Sequence, residues 1–272
     1  MISSHLLILV APTIILMIYN PVFKTTNPCP PQSLPHDGWS SGTHNLWSNF
    51  DQTSPFYNCP EWSFLLTWDD ETNFVTNESI RFLSKENVWS WITDVKINVF
   101  EPVGWLLKGI VVEIYSGGDG SGEPRSEWFR QATVLIHCAN AALLFSVVFN
   151  LIRLLSDPKA VLLPARLTAV TVATLWGAHP VNVEVIGWPS SQPYSIACFF
   201  VLLAILFHTN SLRNVKTPMA ITRTKHVVTA VLLFLGCMSK SAVVTSPAVI
   251  PLIDFSYAYK NKLRINQYQV SE

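Results

Sequence analysis

The sequence predicts an all-α membrane protein, a polytopic bundle of about six transmembrane segments with a large lumenal loop after the first. Three observations carry this expectation. Charged residues make up 13% of the 272-residue chain and hydrophobic residues 49%, whereas an ordinary soluble domain is roughly 25% charged. Apolar runs recur at lengths near the ~20 residues that a helix needs to cross a hydrocarbon core. Basic residues collect on alternate connections between these runs, as the positive-inside rule requires. Eighteen Lys and Arg balance eighteen Asp and Glu, so net charge implies no polyanionic partner and no nucleic acid.

Residues 1–20 contain HLLILVAPTIILMIY, with no basic stretch before it and no small-x-small cleavage site before Asn20-Pro21. This reads as a retained signal anchor and first transmembrane helix. Residues 21–127 form one non-membrane segment, too long for a simple connection, in which acidic side chains outnumber basic ones. Within it NVWSWITDVKI, with Trp89, Trp91, Ile92, Val95 and Ile97, has the pattern of a short helix in the membrane interface or packed beneath the loop.

Residues 128–258 hold the remaining bundle. Runs 132–155 and 160–178 are long enough to span, and 193–208 is if Ser190 to Gln192 begin its helix. Run 227–257 exceeds one span and is interrupted by Gly236, Lys240, Pro247 and Pro251. A lysine inside such a run must reach an interface or a partner. The run therefore divides at Lys240 into two short helices, a hairpin whose bend carries the lysine. Arg153, Lys159 and Arg166, then Arg213, Lys216, Arg223 and Lys225, then Lys260, Lys262 and Arg264 mark the cytosolic side. Residues 259–272 form a cytosolic tail, and residues 21–127, His179 to Pro189 and Lys240 fall on the lumenal side.

Several residues on that side carry chemistry. In FLLTWDDETNF the carboxylates Asp69, Asp70 and Glu71 stand between apolar flanks; in a soluble protein the triplet would be a solvated turn. HPVNVEVIGW places His179 and Glu184 where a helix leaves the membrane, either capping an exit turn or supplying proton transfer and hydroxyl positioning. Lys240, in GCMSKSAVVTSP, is either a snorkelling helix-end lysine or a cation for a phosphate, helped by Ser239, Ser241 and the next helix start. Glu101, in EPVGWLLK, is a site-rim residue or part of a turn. Asn77-Glu78-Ser79 matches the N-glycosylation acceptor pattern.

Cys29 and Cys59 lie in the hydrophilic segment and suit a disulfide in an oxidising lumen, while Cys138, Cys198 and Cys237 lie in apolar runs. No CxxC pair or His/Cys cluster argues for a metal. The chain has no GxxxxGK[ST] loop, no GxGxxG after a strand, no HExxH and no internal repeat.

TWDDETNF, FEPVGWLLK, VLIHCANAALLF, WGAHPVNVEVIGW and CMSKSAVVTSPAVIPLIDF, in that order, resemble the amino-terminal membrane half of the transmembrane and tetratricopeptide-repeat O-mannosyltransferases. These belong with the GT-C glycosyltransferases, and the resemblance covers most of residues 64–255. It implies a multi-pass protein of the endoplasmic reticulum membrane. Dolichyl-phosphate mannose is the implied donor, a secretory-pathway protein the acceptor, and no cofactor is tightly bound. The family's acidic pair falls on Asp69 and Asp70, with Asp69 the general base for a Ser or Thr hydroxyl. Lys240 and His179 would stabilise the leaving phosphate, and Glu184 would orient an acceptor, a sugar hydroxyl or His179. The chain departs from the pattern in PSSQPYS, residues 189–195, where the family carries Arg and Asp, at Glu101, and in lacking tetratricopeptide repeats. These departures imply the alternative of a truncated, catalytically inactive GT-C-like scaffold or accessory subunit. A small-solute transporter ranks last, since few polar residues continue through the bundle.

Overall fold

Small residues spaced four apart decide how the helices approach one another. In the computed structural model, which describes residues 7–19, 64, 69–116, 124–156, 162–213, 215 and 217–270, Ala165, Ala169, Ala173 and Gly177 form a buried stripe on one helix. On the same helix Leu163, Leu167 and Leu175 are exposed. Small residues inside and large apolar ones outside is the pattern of a helix whose outer face meets lipid. A Cβ on Gly177 would fall 2.4 Å from Ile15 Cδ1, so the first helix seats there only against glycine.

The chain is an all-α membrane protein. Its helices are α1 (Val10–Ile18), α2 (Lys85–Thr93), α3 (Pro102–Ser116), α4 (Ser126–Leu155), α5 (Leu162–Gly177), α6 (Asn182–Gly187), α7 (Gln192–Leu212), α8 (Arg223–Ser239) and α9 (Val249–Val270). Among the described residues the only extended pairing is an isolated bridge between Lys96 and Val99. Among the described residues three stretches are long and apolar enough to cross a membrane: Ser126–Leu155, Pro189–Leu212 and Ser241–Lys262; Leu162–Gly177 is apolar but shorter.

Packing follows α1 on α4 and α5, α4 on α5 and α7, and α7 on α8. α4 and α7 run the same way, since Asn140 Nδ2 donates to Ser195 O at 2.8 Å and Asn150 Nδ2 to Asn210 Oδ1 at 2.9 Å. One core joins Ala11, Ile15, Val134, Ala141, Phe145 and Ala173. A second, at the opposite end of α4 and α7, joins Leu154, Ile205, Leu212, Ile221 and Ile253.

The helix does break at Lys240, whose backbone is extended at φ −154°. The expected two-helix hairpin is looser than its sequence suggests. Two 3-10 turns, Ser241–Val243 and Ser246–Ala248, intervene before α9, and α9 packs on α4 and α7. The helix then continues to Val270, through the segment expected as a tail.

The acidic segment makes a third core of Phe74, Ile80, Trp91, Trp105, Val112 and Phe129. Trp91 lies across Gly109, where an added Cβ would come within 2.4 Å of its Cη2. α2 thus divides its tryptophans, Trp91 buried against α3, as the reading of packing beneath the loop expects, and Trp89 69% exposed. Pro102 opens α3, and Trp105 N–H donates to Glu101 O at 3.0 Å, so Glu101 caps the helix.

Candidate functional site

Asp69 and Asp70 lead into a π-helical turn, Glu71–Val75. The wider turn sends both Asn73 and Phe74 inward. Phe74 anchors it, with ring centroids 4.3 Å from Phe129 and 4.9 Å from Phe64. Asp69 stays exposed, whereas Asp70 is 0% exposed. Burial of this carboxylate requires donors, and Ser190 supplies two. Its backbone N–H donates to Asp70 Oδ1 at 3.0 Å and its hydroxyl donates to the same oxygen.

The network continues from Ser190. Asn73 Nδ2 donates to Ser190 Oγ at 3.0 Å, and Lys108 Nζ donates to Asn73 Oδ1 at 2.6 Å. Because Lys108 can only donate, it fixes the orientation of the Asn73 amide. Lys108 is 3% exposed and lies 4.0 Å from the Trp105 ring centroid and 5.2 Å from that of Phe74. Burial pushes its ammonium down to about 7. Glu101 opposes that fall most, followed by Asp70 and Asp69, while Lys240 adds to it.

Lys240 Nζ lies 2.6 Å from Glu101 Oε1 and 4.8 Å from the Tyr194 ring centroid. Gly104 makes this meeting possible. A Cβ there would stand 3.1 Å from Pro193 Cγ and 3.4 Å from Ser239 O, so α3 closes on the starts and ends of α7 and α8 only as glycine allows. Arg130 reaches from α4, donating through Nε to Gly187 O at 2.6 Å and through Nη1 to Ser126 Oγ at 3.1 Å, within the electrostatic reach of Asp70. Asp69, Asp70 and Glu101 thus share one neighbourhood with Lys108, Arg130 and Lys240.

The remaining sequence candidates lie elsewhere. His179 and Glu184 are exposed, and His179 Nδ1 accepts from Val181 N–H at 3.2 Å. Neither shares a hydrogen bond or ion pair with Lys108 or Lys240. Glu71 is exposed, and its carbonyl accepts from Thr76 N–H at 2.9 Å. Asn77 is half-buried and caps the next turn, its Oδ1 accepting from Ser79 N–H at 3.1 Å and from the Ser79 hydroxyl at 2.7 Å. Ser239, expected to assist a phosphate, turns its hydroxyl back to Leu235 O at 2.7 Å. Cys29 and Cys59 fall outside the described residues.

Sequence reasoning missed Lys108, Asn73, Ser190, Arg130 and Tyr194. Lys108 had a usable signal, since it stands two helical turns after Glu101 in EPVGWLLK and so on the same face. Ser190 and Tyr194 had the opposite one, because PSSQPYS reads as the place where charged contacts are lost.

The arrangement places an exposed carboxylate beside a buried, hydrogen-bonded one, with cations on the bundle side. Among the described residues no group of three or more His, Cys, Asp or Glu is placed to hold a metal. No family model, curated protein or solved structure matches the chain.

Proposed function

We propose that the chain is a membrane glycosyltransferase of the endoplasmic reticulum, with a GT-C-like arrangement in which α1, α4, α5, α7, α8 and α9 are the six membrane segments. It transfers mannose from dolichyl-phosphate mannose to Ser or Thr hydroxyls of lumenal proteins. The observation that supports this reading is the convergence of the acidic pair, Glu101 and Lys240, far apart in sequence, about the buried Lys108.

In this reading Asp69, the exposed carboxylate, takes the proton from the acceptor hydroxyl as its oxygen attacks the anomeric carbon. The bond from that carbon to the donor phosphate oxygen breaks, with inversion, and dolichyl phosphate leaves ionised. Asp70 holds the turn rather than the proton, since Ser190 already occupies one of its oxygens. Lys240 has three donor hydrogens and can meet the departing phosphate while keeping or exchanging its contact with Glu101. His179 and Glu184 are exposed on the connection between α5 and α7, and in this reading they meet the acceptor rather than the phosphate.

The test is transfer of labelled mannose from dolichyl-phosphate mannose in membranes holding wild-type or Asp69→Asn protein at matched abundance. Loss of transfer in the variant alone supports the reading. Equal background signal from both removes it.

A second reading, a GT-C-like scaffold or accessory subunit without catalysis, is favoured by the closed state of the Lys240–Glu101 pair, which leaves a phosphate to compete with a carboxylate. It predicts co-purification with other membrane proteins that is unchanged by Asp69→Asn.

A further inference from the structure

The end of the bundle opposite the acidic turn carries a charge cluster that the reading above does not use. Arg153 lies in the last turn of α4, Arg166 in the second turn of α5, and Arg213 caps α7. Arg213 and Arg166 are close enough to Arg153 to repel it. Lys260 brings a fourth cation from α9, its Nζ donating to Leu154 O and Ser156 O, each at 2.8 Å. Like charges held together, as Arg153 and Arg213 are, raise the energy of the fold unless an anion balances them.

Among the described residues no carboxylate pairs with Arg153 or Arg213. Asp254, which α9 brings to this end, is held by His208 Nε2 at 2.8 Å. Arg153 rests 5.4 Å from the Phe149 ring centroid, and its Nε is buried without an acceptor. Arg213 makes one long contact, Nη1 to Asn150 Oδ1 at 3.4 Å. Asn150 is itself fixed by Asn210, so it offers Arg213 a single neutral acceptor. Both guanidiniums retain donors that suit a doubly bonded oxyanion.

We propose that Arg153 and Arg213, with Arg166 and Lys260 around them, bind the phosphate headgroup of an anionic phospholipid. Depth selects a lipid over a soluble ion. The cluster sits where two long apolar helices, α4 and α7, end, and Leu155, Leu162 and Leu163 beside it are exposed for acyl chains to cover. Guanidinium forks match phosphate geometry, and basic pockets between membrane helices take anionic headgroups. The site is independent of any transfer reaction at the acidic end.

The test uses the full chain in detergent, titrated with phosphatidic acid, with phosphatidylcholine of the same acyl chains, and with inorganic phosphate. Bound lipid is read by native mass spectrometry and protection by the midpoint of thermal unfolding. Wild-type protein retains phosphatidic acid in preference to phosphatidylcholine, and the Arg153→Gln/Arg213→Gln variant loses about thirtyfold in affinity, the factor that two interfacial cations contribute. The Arg153→Lys/Arg213→Lys variant stays within about fivefold of wild type because charge is kept. Should the double Gln variant not fold, Arg213→Gln alone, at an exposed position, loses about fivefold. Unchanged affinity in the Gln variants overturns the proposal. So does an equal loss in Arg223→Gln/Lys225→Gln, which would show diffuse charge, or equal protection by inorganic phosphate, which would show a soluble-anion site.

Discussion

Lys240 Nζ lies 2.6 Å from Glu101 Oε1, joining the break between α8 and α9 to the cap of α3. The two side chains are 20% and 7% exposed, so water alone neutralises neither, and Glu101 serves Lys108 as well. Through this pair the acidic segment is tied to the bundle at its charged end, while Trp91, Phe74 and Phe129 tie it through apolar contact.

Breaking the pair from one side should therefore cost more than removing it. Glu101→Leu alone leaves a mostly buried ammonium uncompensated and should lower stability by about 3 kcal/mol, and Lys240→Met alone strands the carboxylate in the same way, whereas the two together should cost distinctly less. Denaturation of the two singles and the double in detergent gives the coupling directly. Additive losses would show that the two charges do not depend on each other.

Lys108 predicts a pH dependence with a definite sign. Its folded value is about 7, against about 10.4 for an exposed lysine. Below pH 7 both states carry the charge and the burial penalty is fully present. Between pH 7 and about 10 the unfolded chain binds more protons, so unfolding free energy rises with pH, by at most about 1.4 kcal/mol per unit. Lys108→Met should flatten that rise, as read by denaturation midpoints from pH 7 to 10. An equally steep rise in the variant would assign the slope to other groups.

The helical architecture was legible in the sequence because apolar runs and a charge inside one of them are one-dimensional signals. Lys240 announced a break, and the break is there. What followed it was hidden, because Pro247 and Pro251 stop α8 from continuing through them yet are accepted in the first turn of a new helix, so they do not say how many 3-10 turns precede α9. The site was legible only as separate charges. Asp70, Glu101 and Lys240 stood out as ionisable residues, but Ser190, which holds Asp70, and Asn73, which links Ser190 to Lys108, are small polar residues whose role depends on tertiary contact across the chain. Lys108 carried only its helical spacing from Glu101 as a signal, and its burial against Phe74 and Asn73 depends on the folded loop.

The seat of α2 on α3 should fail with one added carbon. Gly109→Ala would bring a Cβ to 2.4 Å from Trp91 Cη2 and 2.7 Å from Cζ3, and Trp91 is buried with no room to retreat. The expected loss is about 1–3 kcal/mol. Gly187→Ala is the control, since nothing lies within 4 Å of its added carbon, and within a helix alanine should be neutral or slightly stabilising. Thermal melts of both variants, with limited proteolysis of the segment around α2, would read the difference; equal melts would mean that Trp91 yields freely.

The neighbouring aspartates should separate cleanly, because their surroundings differ more than their positions. Asp69 is exposed, so Asp69→Asn should leave the melting temperature unchanged. As the proposed base its loss should lower mannose transfer by about 10³-fold per folded molecule. Asp70 is buried and bonded twice to Ser190. Asp70→Asn removes a buried negative charge beside Arg130 and Lys108 and should destabilise by about 3 kcal/mol. Its transfer per folded molecule should stay within about tenfold of wild type, because it holds the turn and does not accept the proton. Melting curves and transfer assays on the same two preparations decide the matter. A stable Asp70→Asn protein that transfers nothing, beside an active Asp69→Asn protein, would move the base to Asp70 and turn the Ser190 contact into one that must open before the acceptor hydroxyl arrives.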